Sequence, residues 1–160
     1  MMNIGKSTRS LARAICSLAI ITGFVTCLTS LTCVAEERRV IKFPGTEGLP
    51  FSDGVIAGNT LYVAGQEGTD DKGKLPEGGI GPETQAALAN VEKVVKAAGF
   101  ELKDIVSVTV YLSDIHEFPD MNKVYKTIMP DPKPARATIQ AAALVNGAHI
   151  EVSAIAVKRK

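Results

Sequence analysis

Two charged residues stand inside apolar runs near the C-terminal end of the 160-residue chain: Arg136 in ARATIQAAALV and Glu151 in HIEVSAIAV. A charge in such a run is costly unless it is solvated, paired or used. As types, a guanidinium grips anions and a carboxylate accepts protons, so the pair invites a chemical reading beside the plain one of solvated or ion-paired strand positions. Between them lies Asn146-Gly147, a strong signal for a two-residue turn because both residues tolerate φ > 0. The segment 134–157 is therefore expected to be a β-hairpin pairing Val145 with Ala148. In that register Arg136 faces Val157 and Glu151 faces Ala142. The charges then sit six residues apart along the strands, about 20 Å at about 3.3 Å per residue. One chain could not bring both to one small pocket, and a second subunit would have to do so.

The remaining chain supplies the elements that must position these two residues. Residues 38–43 fit a short strand. A Gly/Pro-rich loop, 44–53, precedes a hairpin of Val55-Ile56 and 61–64 turning at Gly58-Asn59. A helix is expected after Gly81, with Pro82 and Glu83 at its start and Gly99 as the residue past its end. Leu88, Val91, Val95 and Ala98 form its apolar face. Residues 104–114 alternate as a strand, with Val106, Val108, Val110 and Leu112 toward the helices and Ser107, Thr109 and Tyr111 away from them. A second helix, 118–129, presents Met121, Val124, Tyr125 and Ile128. Pro130, Pro132 and Pro134 end it. The order β-β-β-α-β-α-β-β implies an α/β fold, one mixed sheet with two helices on one face. The other face carries small or polar residues and needs cover, which self-association would supply.

Residues 1–35 read as a signal peptide, with 36–160 as the single folded domain. Lys6, Arg9 and Arg13 lead an apolar run from residue 14 to 31, no acidic residue precedes Glu36, and Cys33-Val34-Ala35 ends on a small residue. Export to the periplasm or the exterior is the expectation. A retained membrane anchor, or lipidation at Cys33 or Cys27, is the alternative. All three cysteines (Cys16, Cys27, Cys33) lie in this segment, so 36–160 can hold no disulfide, thiolate nucleophile or cysteine metal site. Setting aside Lys6, Arg9 and Arg13 leaves 15 basic against 17 acidic residues, a net −2. That balance, with no Trp, argues against general nucleic-acid binding. Gly68, Gly73 and Lys74 imitate a phosphate loop, but Leu75 replaces the required hydroxyl and Asp70 and Asp71 would repel phosphate. His116 fits a solvated turn, His149 has no second metal ligand in sequence, and Tyr111 and Tyr125 read as packing residues.

Taken together, 50–55 (PFSDGV), 63–66 (VAGQ), the helix 84–99, 110–114 (VYLSD), 122–125 (NKVY), 134–138 (PARAT) and 150–156 (IEVSAIA) resemble the Rid family, also called YjgF-like or "endoribonuclease L-PSP". The resemblance covers about 40–157. It implies a chorismate-mutase-like fold, a homotrimer with clefts between subunits, and hydrolysis of small enamines and imines such as 2-aminoacrylate to 2-keto acids and ammonia, without metal or organic cofactor. Arg136 and Glu151 match the family's catalytic pair. Phe51, Gly65, Gln66 and Asn122 match its substrate-binding positions, with Arg136 gripping a substrate carboxylate. Phe51 stands where Tyr is usual, Ala64 and Ala137 where Ser is common, and Glu67-Gly68 where an apolar residue and Pro usually follow Gly-Gln. Non-catalytic binding of a 2-keto acid in the same cleft is the alternative, and a ribonuclease or translation inhibitor a more distant one. The plain readings stay beside these: Arg136 in an interface ion pair, Glu151 accepting a backbone N–H, Asn122 stabilising its helix.

Overall fold

A computed structural model describes residues 38–158. The signal-peptide expectation for 1–35, and the three cysteines with it, lie outside the described residues. No helix among the described residues is long and apolar enough to cross a membrane.

Strands β1 (Arg39–Ile41), β2 (Gly54–Ala57) and β3 (Thr60–Glu67) are followed by helix α1 (Ile80–Ala97) and strand β4 (Ile105–Leu112). Helix α2 (Phe118–Ile128) and strands β5 (Ala135–Gln140) and β6 (Ile150–Val157) complete the expected order. The six strands form one mixed sheet in the order β1-β2-β3-β6-β4-β5. Helix α1 packs on β3, β6 and α2. Gly58, at φ 62°, turns the tight β2-β3 hairpin, a conformation that a Cβ would strain.

Helix α1 forms where its apolar residues recur at helical spacing. It buries Ala87, Leu88, Val91, Val94 and Val95 against Leu61, Val63, Ile150, Val152 and Ala154 of the sheet. A fully buried Leu such as Leu88 contributes about 1.5–3 kcal/mol over an exposed one. The helix starts two residues before the expected point. It ends as expected: Gly99 takes φ 80°, its N–H reaches the Lys96 carbonyl (2.9 Å), and the Phe100 N–H reaches that of Val95 (2.9 Å), which satisfies two terminal carbonyls.

Two expectations fail. The segment 134–157 is not a hairpin: β5 pairs in parallel with β4, while β6 inserts between β3 and β4. Asn146-Gly147 does turn the chain, with Asn146 at φ 56°, but inside a short 3-10 turn (Val145–Gly147) within a crossing loop. Gly147 also takes positive φ, 71°, as the turn signal requires. What decided the pairing was tertiary: β6 is apolar enough to be central, its residues 150, 152, 154 and 156 all buried. The second failure is Val106, which is exposed rather than core-facing. The ladder to β6 shifts between Ile105 and Ser107, and this extra residue puts Ile105 on the helix side and Val106 off it.

The face away from the helices is less polar than expected. Val40, Tyr62, Ile139 and Ile155 are exposed there, Tyr62 lying opposite Ile155 on adjacent strands.

Candidate active site

The candidate residues gather in two places. Phe51, Gly65, Gln66 and Glu151 line one open cavity of about 580 Å³, together with Glu67 and Asn146. Arg136 and Asn122 lie elsewhere, between β5 and α2.

The loop before β2 reaches the cavity because Asp53 anchors it. Asp53 is buried, its carboxylate accepts from the Phe43 N–H (2.9 Å) and the Thr46 hydroxyl (2.8 Å), and its carbonyl accepts from Ala64 N–H (3.0 Å). Phe51, two residues earlier, is thereby held at the rim, 53% exposed. On β3 the ladder to β6 slips by one residue between Val63 and Gln66. A bulge of this kind re-aims side chains. Here it leaves Gly65 against the Glu151 side chain: a Cβ at position 65 would collide with the Glu151 carboxylate. Gly65 is thus required for close approach, not for a special φ.

Sequence reasoning noted Glu67 only as a departure in a polar loop. It ends β3 directly opposite Glu151. Asn146 Nδ2 donates to Glu67 Oε2 at 3.1 Å. Burial, chiefly, pushes the Glu67 carboxyl above its ordinary range. The Asn146 hydrogen bond opposes this, and the negative charges of Glu151 and Glu83 add to it. The available signal is a carboxylate two residues past the candidate glycine, Gly65, on the same strand.

Arg136 is half-buried on the helix side of the sheet. Its Nη2 donates to Asn122 Oδ1 at 2.6 Å. Its guanidinium lies over the Tyr125 ring (4.4 Å to the centroid), with Phe118 at 5.5 Å. Burial raises the Tyr125 hydroxyl above its usual pKa, with the Arg136 charge acting the other way. Tyr125 is buried, as expected of a packing residue, and it packs under the arginine.

Arg136 pairs with Val108 of β4, and Glu151 with Tyr111. Three residues along and two strands across put their backbones about 14 Å apart. Val108 is buried beneath the helices, while Glu151 and Tyr111 belong to the opposite face, so the two side chains also point away from each other. The separation within one chain was expected, but on the geometry of a hairpin that does not form. The sheet itself enforces it.

His116 is exposed, as expected. His149 Nδ1 meets Glu117 Oε1 at 2.8 Å, and its backbone N–H donates to Glu83 Oε2, also 2.8 Å. The Glu117 hydrogen bond raises the imidazole pKa.

The family model described as Endoribonuclease L-PSP matches residues 45–158. A 2-iminobutanoate/2-iminopropanoate deaminase of Homo sapiens is 42% identical over 125 residues, 76% of this chain and 90% of the relative. The crystal structure of the YjgF gene product from E. coli superposes with a TM-score of 0.70 at 33% identity, covering 76% of this chain and 99% of that one. That of E. coli TdcF with bound serine has a TM-score of 0.66 at 30% identity, over 76% and 94%. Fold, site geometry and relatives agree: the chain belongs to the Endoribonuclease L-PSP family, the family of RidA and YjgF.

Proposed function

We propose that the protein is a hydrolytic deaminase of small carboxylate-bearing imines and enamines, giving a 2-keto acid and ammonia. The observation that carries this reading is the seating of Glu151 over Gly65 at the cavity, a carboxylate beside a wall with no side chain. Similarity to an imine deaminase over 90% of that relative's length supports it, as does bound serine in the related TdcF structure.

In this mechanism Arg136, held by Asn122 and backed by Tyr125, binds the substrate carboxylate through two parallel hydrogen bonds. Glu151 takes a proton from the water that attacks the C=N carbon. Because Arg136 and Glu151 lie on opposite faces of the sheet, one chain's arginine serves its neighbour's glutamate, in a homotrimer. The exposed apolar residues Tyr62, Ile139 and Ile155 on the uncovered face favour such packing.

The non-catalytic alternative has one observation in its favour: Phe51 offers the cavity a ring without a hydroxyl. Ammonia release from imines generated in situ separates the two readings. Turnover is expected in the wild type, with a loss of about 10²-fold or more in Arg136→Ala while the oligomer survives by light scattering. Equal rates in the two proteins refute the assignment. Calorimetric binding of 2-keto acids without ammonia release would establish the alternative.

A further inference from the structure

We propose that Glu67 is a second catalytic group of this site, the acid that protonates the imine nitrogen as water adds. This assignment rests on the deaminase reading above.

Three features of the geometry carry it. Glu67 and Glu151 are directly opposed on adjacent strands, so their side chains leave the same face of the sheet as neighbours. Both line the cavity that Gly65 opens. Asn146 Nδ2 donates to one Glu67 oxygen, which orients the carboxyl and leaves the second oxygen to carry a proton. Burial and the negative charges of Glu151 on β6 and Glu83 on α1 all favour the protonated form of Glu67, against the Asn146 hydrogen bond. Asp53, from the loop before β2, lines the same cavity and adds a further acidic group.

The proton inventory closes. Water adds to the C=N carbon, its proton passes to the Glu151 carboxylate, and the C=N π pair accepts the Glu67 proton at nitrogen. The resulting carbinolamine nitrogen then takes the proton from Glu151. Its hydroxyl proton returns to Glu67 as the C=O bond forms and the C–N bond breaks. Imine and water become keto acid and ammonia, with Glu67 again protonated and Glu151 again ionised.

The test compares wild type, Glu67→Gln and Glu67→Asp in ammonia release from an imine generated in situ, across pH. Gln matches the shape and keeps an acceptor for Asn146, so thermal melting should show an intact fold. The expected result is a kcat lower by about 10²-fold in Glu67→Gln with KM little changed. The ratio of wild-type to Glu67→Gln rate should fall as pH rises and Glu67 ionises. This ratio cancels the titration of the substrate. Glu67→Asp should keep the alkaline fall at a reduced rate. A Glu67→Gln kcat within threefold of wild type, or a pH-independent ratio, overturns the proton-donor role and leaves the deaminase reading standing. Absence of turnover in the wild type overturns both.

Discussion

Gly65→Ala separates the stability of this fold from its chemistry. A Cβ built at Gly65 lies 2.6 Å from Glu151 Cδ and closer still to its Oε1. Ordinary carbon–carbon contact is about 3.5–4.0 Å, so the carboxylate must retreat by about 1 Å or more. The obstacle is the far end of a flexible side chain, and Gly65 does not occupy the left-handed region, so the backbone need not move. Alanine also removes freedom from the unfolded chain, worth about 0.4–1 kcal/mol in favour of the fold. The melting temperature should therefore hold or rise slightly. Catalysis should not hold: a displacement of about 1 Å from productive geometry costs about 10²-fold. The assay is kcat/KM for imine hydrolysis beside thermal denaturation of the same preparation. A fall of about 10²-fold with an unchanged melting temperature is expected. Wild-type kcat/KM in Gly65→Ala would refute the role given to the Gly65–Glu151 contact.

Asn122→Ala removes the 2.6 Å acceptor from the half-buried Arg136, a charge-assisted bond worth about 1–2 kcal/mol after allowing for solvent. KM should rise about tenfold while kcat changes less, by steady-state kinetics, because the guanidinium then samples other positions over Tyr125. His149 carries a pKa raised by Glu117, so its contribution to stability is full below its unfolded value of 6.5 and is lost as pH rises through the higher folded value. The melting-temperature gap between wild type and His149→Gln should be larger at about pH 5.5 than at about pH 8.5, and a gap independent of pH would remove the ion pair from the account.

Legibility in the sequence tracked how local each signal was. Helix α1 announced itself because apolar spacing, Pro82, Glu83 and Gly99 agree within one stretch of chain. The β2-β3 hairpin did so because Gly58 turns strands that pair next to each other. Asn146-Gly147 spoke as clearly and misled, since a turn sequence specifies backbone angles and not which strand comes next to which. The insertion of β6 between β3 and β4 depends on residues about 40 to 90 positions away, in no local pattern. Glu67 was hidden for a related reason. Its proposed role comes from standing opposite Glu151, a pairing of the β3-β6 ladder that a hairpin register gives to Ala142. Gly65 could be matched as a position, but its physical role needed the bulge and the carboxylate lying over it.

The arrangement of the two charges follows from the alternation of a pleated sheet. Arg136 shares the helix-side face with Val108, and Glu151 shares the other with Tyr111. A loop rearrangement cannot reunite them, because the sheet between them is the core of the domain, with Val110, Val152 and Leu112 wholly buried. In the proposed trimer each chain carries half of two sites: an anion-gripping half under α2 and a proton-moving half at the end of β3. The division has a chemical consequence. An unpaired guanidinium beside Glu67 would stabilise its carboxylate as an anion and remove the acid. In the proposed trimer the neighbour's guanidinium is engaged by Asn122 and by the substrate carboxylate, whose negative charge offsets it, so Glu67 keeps its proton.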